Sequence, residues 1–214
     1  MADAVHANPA PAAEITSAEI MNYLAHIFLS GGNRQLQVGN FIGDFVKGRR
    51  HSEFPKGIQQ GILLHREIDT FTDSHPAFLE TVEILRPAFG RYSGIIADMY
   101  FDYFLASDFG RYSNGKSIGL FALNFYLSAL LYYRWLPPRV KGFIFHFIGS
   151  NRLKKYASYD GLNSSLTIMS HYKSSAINPS LSISFLKENE AVLRMKFEIF
   201  MPEVTQFVRD FRKS

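Results

Sequence analysis

The stretch Ile58-Gln-Gln-Gly-Ile-Leu-Leu-His65-Arg-Glu-Ile-Asp69-Thr-Phe-Thr-Asp73 carries two patterns at once. Ile58, Ile62, Leu63 and Ile68 recur at helical spacing, while His65, Asp69 and Asp73 fall four apart, so an imidazole and two carboxylates stack on one face of a helix with an apolar side. Pro55 suits the first turn of that helix, and His75-Pro76 stops it. A solvated polar face is the plain alternative for such a stripe. The run continues from core-like Ile58 and Ile62, which argues for a role other than solubility.

Towards the C-terminus, Ile95-Ile-Ala-Asp98-Met-Tyr-Phe-Asp102-Tyr-Phe-Leu-Ala sets two acids four residues apart inside an apolar, aromatic run. An ionised carboxylate withdrawn from water needs a cation, hydrogen-bond donors or a raised pKa. A shared divalent metal meets that need; ion pairs to Arg66 or Arg91 are the alternative. Towards the N-terminus, the spacing Thr16-x-x-Glu19 reads as a capping box opening a helix with Ile20, Tyr23, Leu24 and Ile27 on one side and His26 on or beside it. After the break Gly31-Gly-Asn33, a short helix through Val38, Phe41, Ile42 and Phe45 carries Asp44 near its end and leads into Lys47-Gly-Arg-Arg-His51. Two acidic pairs and two histidines on apolar faces suit a mixed His/Asp site for a manganese- or magnesium-like ion.

Further helical patterns lie at about 77–89, 93–107, 117–135, 138–149, 161–171 and 181–212, and strand-like alternation is scarce. The chain is therefore expected to be all-α, one compact multi-helix domain over residues 20–214, preceded by a flexible Ala/Pro-rich extension over 1–19 that lacks Lys and Arg. Ser117 to Leu136 is the most membrane-like stretch, but Asn124 and Arg134 interrupt it, and it reads as a buried helix.

Composition narrows the chemistry. With 214 residues, 47% of them hydrophobic and 20% charged, most of the chain is not intrinsically disordered. Having no cysteine, it has no disulfide, thiolate metal site or cysteine nucleophile. The formal charge of +4 comes from a basic surplus after Pro138, which attracts an acidic partner of some kind. There is no P-loop, no H-E-x-x-H and no G-x-S-x-G. His146 reads as a core or pocket histidine, and His51 and His171 carry no signal.

Taken together, Met21-Asn-Tyr-Leu-Ala-His26, Gly39-Asn-Phe-Ile-Gly-Asp44-Phe-Val-Lys-Gly48, the segment from Gly61 to Asp73 and Asp98-Met-Tyr-Phe-Asp102-Tyr-Phe-Leu105 resemble, in this order, the acyl carrier protein phosphodiesterases. That family is distantly similar to the HD-type metal-dependent phosphohydrolases. A weaker match at Tyr156 and from Gly161 to His171 extends the resemblance over most of the chain after Met21. The family commonly begins at the first of these blocks, so residues 1–20 are expected to be an extension, or Met21 the true start. The pattern departs at Tyr172, where a basic residue is expected.

The resemblance implies an HD-like helical domain that hydrolyses the bond between 4′-phosphopantetheine and a serine of holo-acyl carrier protein. It implies a divalent ion, Mn2+ or else Mg2+, held by some of His26, Asp44, His65, Asp69 and Asp98. Asp44, Asp69, Asp98 and Asp102 are the candidate catalytic acids, with Asp102 or Asp73 orienting the water. Which carboxylate touches the metal and which serves as base stays open. Acyl carrier proteins are small and acidic, so Lys47, Arg49, Arg50 and Arg66 are the expected substrate contacts, with Arg152, Lys154 and Lys155 as a second cluster. The implied partner is this acidic protein, not nucleic acid, and the expected compartment is the cytoplasm. A hydrolase of nucleotides or other small phosphate esters, and a non-catalytic helical binding protein, are the competing readings.

Overall fold

Helix after helix follows along the chain in the computed structural model, which describes residues 23–172, 174 and 177–213 and has no strand among them. In order these are α1 (Tyr23–Leu29), α2 (Arg34–Phe41), α3 (Lys56–Ser74), α4 (Pro76–Phe89), α5 (Ser93–Ser107), α6 (Phe109–Tyr112), α7 (Ile118–Leu131), α8 (Pro138–Gly149), α9 (Arg152–Lys155), α10 (Tyr159–Tyr172) and α11 (Pro179–Phe211). Short 3-10 turns at Gly43–Phe45, Gly48–Glu53, Gly90–Tyr92 and Tyr133–Trp135 join some of them. The all-α, one-domain expectation holds. The extension over 1–19 and the Thr16–Glu19 cap lie outside the described residues, as does the side chain of Tyr172.

The core forms around α5. Its residues Ile96, Met99, Tyr100, Phe101, Phe104 and Leu105 are buried on several sides of the helix, as expected of an element apolar all round. Helices α1, α4 and α11 pack on it. The hydroxyl of Tyr100 donates to the Ser182 carbonyl at 2.6 Å, tying α5 to the start of the long α11. Rings fill much of the interior: Phe101 meets Phe78, Phe197 and Phe200, and Phe41 meets Tyr23, Phe125 and Phe147.

Two sequence expectations change. The helix read through Phe45 ends at Phe41, and Asp44 stands in the 3-10 turn beyond it. The helix read as buried, α7, buries only Ala122, Phe125, Tyr126, Ser128 and Ala129, leaving Leu120, Leu123, Leu127, Leu130 and Leu131 exposed. Its uniform hydrophobicity hid which side faces the core.

The crossing of α2 and α3 brings two helix backbones into direct contact. A Cβ on Gly39 would stand 2.1 Å from the Ile58 carbonyl oxygen, and one on Gly61 2.3 Å from the Leu36 carbonyl oxygen. Neither obstacle is a side-chain tip that can swing away, so the two backbones touch only because both residues are glycine. Gly61→Ala is expected to cost about 3 kcal/mol and to lower the melting temperature by about 6–12 °C in thermal circular dichroism, despite the better helix propensity of alanine.

Candidate functional site

The α2–α3 crossing sets Asn40, one residue after Gly39, against His65, one turn after Gly61. His26 of α1 stacks on His65, with ring centroids 4.2 Å apart. The Oδ1 of Asn40 lies 2.8 Å from Nδ1 of His26 and 3.2 Å from Nδ1 of His65. The amide's orientation follows from its other end: Asn40 Nδ2 donates to the His26 carbonyl and to Ser30 Oγ, both at 2.9 Å. Oδ1 is therefore the acceptor, and both histidines carry a proton on Nδ1. A neutral imidazole so protonated turns the Nε2 lone pair outward.

Both Nε2 atoms point to carboxylates. His26 Nε2 is 3.3 Å from Asp69 Oδ1, and His65 Nε2 is 3.2 Å from Asp69 Oδ2 and 3.3 Å from Asp44 Oδ1. Lone pairs facing carboxylate oxygens repel, so each nitrogen needs a second proton or a shared cation. The His65 Nε2 atom is buried and makes no hydrogen bond of proper direction despite its two near oxygens. Candidate ligand atoms of His26, His65 and Asp69 all lie within 4.8 Å of one another. This buried His/His/Asp cluster can coordinate a divalent metal: the orphaned nitrogen and the thiolate-free donor set both fit one.

The local fold supports this geometry. His26 and His65 are buried, whereas Asp69 is 39% exposed and opens the cluster to solvent. Gly43 lies against the ring of His65, where a Cβ would come within 2.2 Å of Cγ, so a larger residue there would displace the imidazole. Burial works against a charged His26, but the hydrogen bond and charge of Asp69, with Asp44 and Asn40, outweigh it and raise its pKa. For Asp44, burial pushes the carboxyl up, and His65, His26 and Lys47 more than offset this, holding it below the usual carboxylate range.

The expected acids divide. Asp44 joins the cluster through His65. Asp98 lies outside the set of three; burial raises its carboxyl well above the usual range, opposed by the charge of His26 and reinforced by Asp102, Asp69 and Asp73. Asp102 has another task. It is fully buried, and its two oxygens accept the N–H groups of Leu24 at 3.0 Å and Ala25 at 2.8 Å. Those donors have no partner within the first turn of α1, so Asp102 caps the helix that carries His26. Burial pushes this carboxyl up to about 7, against the two backbone N–H groups and His26. This structural role is one that the sequence reading of Asp102 did not include. Asp73 is exposed.

Among the expected substrate contacts, Lys47, Arg49 and Arg50 are exposed on the loop after Asp44, with Arg50 Nε 3.2 Å from Glu53. Arg66 differs: its Nη2 donates to the Val46 and Gly48 carbonyls at 2.8 Å each, clamping that loop to α3. Arg91 donates to the Tyr92 hydroxyl. His146, read as a core or pocket residue, is exposed. Asn40 is the residue that sequence reasoning missed. Its signal was a buried-side amide four residues before Asp44, in a helix whose neighbouring positions are Leu36, Val38 and Phe41.

The family model described as acyl carrier protein phosphodiesterase matches residues 21–204. The acyl carrier protein phosphodiesterase of Serratia proteamaculans (strain 568) is 25% identical over 190 residues, covering 89% of this chain and 98% of that protein. That of Enterobacter sp. (strain 638) is 29% identical over 140 residues, covering 65% and 72%. That of Yersinia pestis is 37% identical over 86 residues, covering 40% and 45%. No solved structure matches.

Three variants separate the roles. Asn40→Ala should weaken Mn2+ binding by about ten- to a hundred-fold in isothermal titration calorimetry, with the helical signal retained. Asp102→Ala should instead cost about 2–4 kcal/mol in urea unfolding, by stranding two buried N–H groups. Asp102→Asn should recover only part of that loss, because an amide has one acceptor oxygen.

Proposed function

The chain belongs to the acyl carrier protein phosphodiesterase family, and on that premise we propose that it hydrolyses the phosphodiester joining 4′-phosphopantetheine to a serine of holo-acyl carrier protein. The products are the apo protein and free 4′-phosphopantetheine. The observation that carries this reading is the orphaned Nε2 of His65, set beside His26 and Asp69 with every donor turned to one point. Few buried polar atoms in a folded protein go without a bond, so the unbonded nitrogen calls for a partner such as an ion.

His26, His65, Asp69 and Asp44 would hold a divalent ion, with Mn2+ the first choice and Mg2+ the second. When bound, such an ion supplies Lewis acidity: it makes a hydrolytic water acidic near neutral pH and offsets negative charge on the phosphoryl oxygens. The chain's own residues do the rest. Asn40 keeps a proton on each Nδ1, so both Nε2 atoms remain donors to the ion. Asp69, the more exposed carboxylate, faces the incoming phosphodiester. Asp98 completes the acidic set beside His26, as a second-line ligand or proton carrier.

Lys47, Arg49 and Arg50 stand beyond Asp44 and offer the acidic carrier protein a cationic approach. Attraction of this kind speeds encounter and weakens with salt. No described helix is long and apolar enough to cross a membrane, and the substrate class fits a cytoplasmic enzyme.

The test is incubation with holo-acyl carrier protein and Mn2+, followed by intact-mass analysis for loss of the prosthetic group. Turnover should vanish with a chelator and return with added metal. Asp69→Ala and Asp98→Ala should each abolish it with circular dichroism largely unchanged. Full activity in either variant would remove that residue from the site.

A further inference from the structure

Beside Asp44 the surface opens into a cleft of about 620 Å3, a size common for small-molecule sites. One wall is the loop with Lys47 and Arg50; the other is the 3-10 turn Tyr133–Trp135 and the start of α8, with Arg134 and Arg139. Asp44 and Glu53 are the acids on this lining, and Arg50 is already paired with Glu53. The wall with Arg134 and Arg139 therefore carries the cleft's net positive charge, the loop wall sets Lys47 and Arg50 against Asp44 and Glu53, and Asp44 is shared between the cleft and the His/Asp cluster. Trp135, the only tryptophan of the chain, is part of this second wall. The Arg134 guanidinium sits 4.7 Å from its ring centroid, and the Phe54 ring stands 6.3 Å away at 47°.

We propose that this cleft takes the phosphopantetheine arm of the carrier protein, an inference that rests on the phosphodiesterase reading above. The arm has a phosphate at one end and a chain of amides and methyl groups behind it. Its phosphate end meets the cluster at Asp44, its apolar groups lie on Trp135 and Phe54, and Arg134 and Arg139 meet the carrier's acidic surface. A nucleobase fits this lining less well: Phe54 is tilted and one side of Trp135 is taken by Arg134, so no pair of parallel rings is offered for stacking. Arg134, Trp135 and Arg139 are thus specificity residues on the wall opposite Lys47.

The lone tryptophan makes the idea measurable without turnover. The full chain is titrated with 4′-phosphopantetheine and separately with AMP while Trp135 emission is recorded, and hydrolysis of holo-acyl carrier protein is followed in parallel by intact mass. The expected result is a saturable emission shift with 4′-phosphopantetheine, a weaker response to AMP, and a KM for holo-acyl carrier protein about ten-fold higher when Arg134→Glu and Arg139→Glu are combined. If holo-acyl carrier protein is stripped but Trp135 stays silent at saturating 4′-phosphopantetheine, the cleft assignment falls and the phosphodiesterase reading stands. A stronger response to AMP overturns the proposed ligand class. Failure to strip the carrier protein in the presence of Mn2+ overturns both readings.

Discussion

One amide oxygen, on Asn40, faces two imidazoles, and the arrangement of the site follows from that contact. Because its NH2 group is spoken for by the His26 carbonyl and Ser30, the oxygen can only accept, and both histidines must present Nδ1–H to it. Their Nε2 atoms then converge on Asp69, with Asp44 alongside His65. The surrounding structure holds this contact in register. Gly39 and Gly61 let α2 and α3 touch, Gly43 leaves room for the His65 ring, and Asp102 anchors the helix that delivers His26. Arg66 does the same for the loop that follows Asp44.

The cluster is electrostatically incomplete on its own. Carboxylate oxygens and imidazole lone pairs crowd together where water is largely excluded, and Coulomb interactions between them are weakly screened. The raised pKa of His26 is one response to that crowding, with added protons in place of a cation. The buried Nε2 of His65 is left without a hydrogen bond. A divalent ion relieves both conditions at once, which is why the cluster reads as a metal site and not as a set of buried ion pairs. Asp102 is the instructive contrast: more deeply buried than Asp44 or Asp69, but satisfied by backbone N–H groups, it needs no ion.

Two surfaces meet at Asp44. On its inner side are the imidazoles; on its outer side is a cationic cleft with the single tryptophan. The elements that form the cleft's far wall, around Arg134 and Arg139, lie some ninety residues further along the chain, and their part in it has no counterpart in any local motif.

Much of this protein was legible in its residues. Helical periodicity without strand alternation fixes the class, because side-chain spacing reports directly on backbone geometry. The four-residue spacing of His65 and Asp69 on a helix is enough to put them on one face, and acids inside the apolar run at Asp98 and Asp102 announce that something must compensate them. Periodicity is silent on orientation where every side is apolar, so the exposed leucines of α7 were missed. Identical spacing gave no hint that Asp102 caps α1 while Asp69 joins the cluster, or that Arg66 binds backbone carbonyls while Lys47 stays in solvent. Those assignments depend on which helices cross and how closely, and that is settled by glycine-to-backbone contacts between segments distant in sequence. The sequence determined which groups are available; only tertiary packing decided which of them share a point in space, because a hydrogen bond or a metal reads distance and direction, not position along the chain.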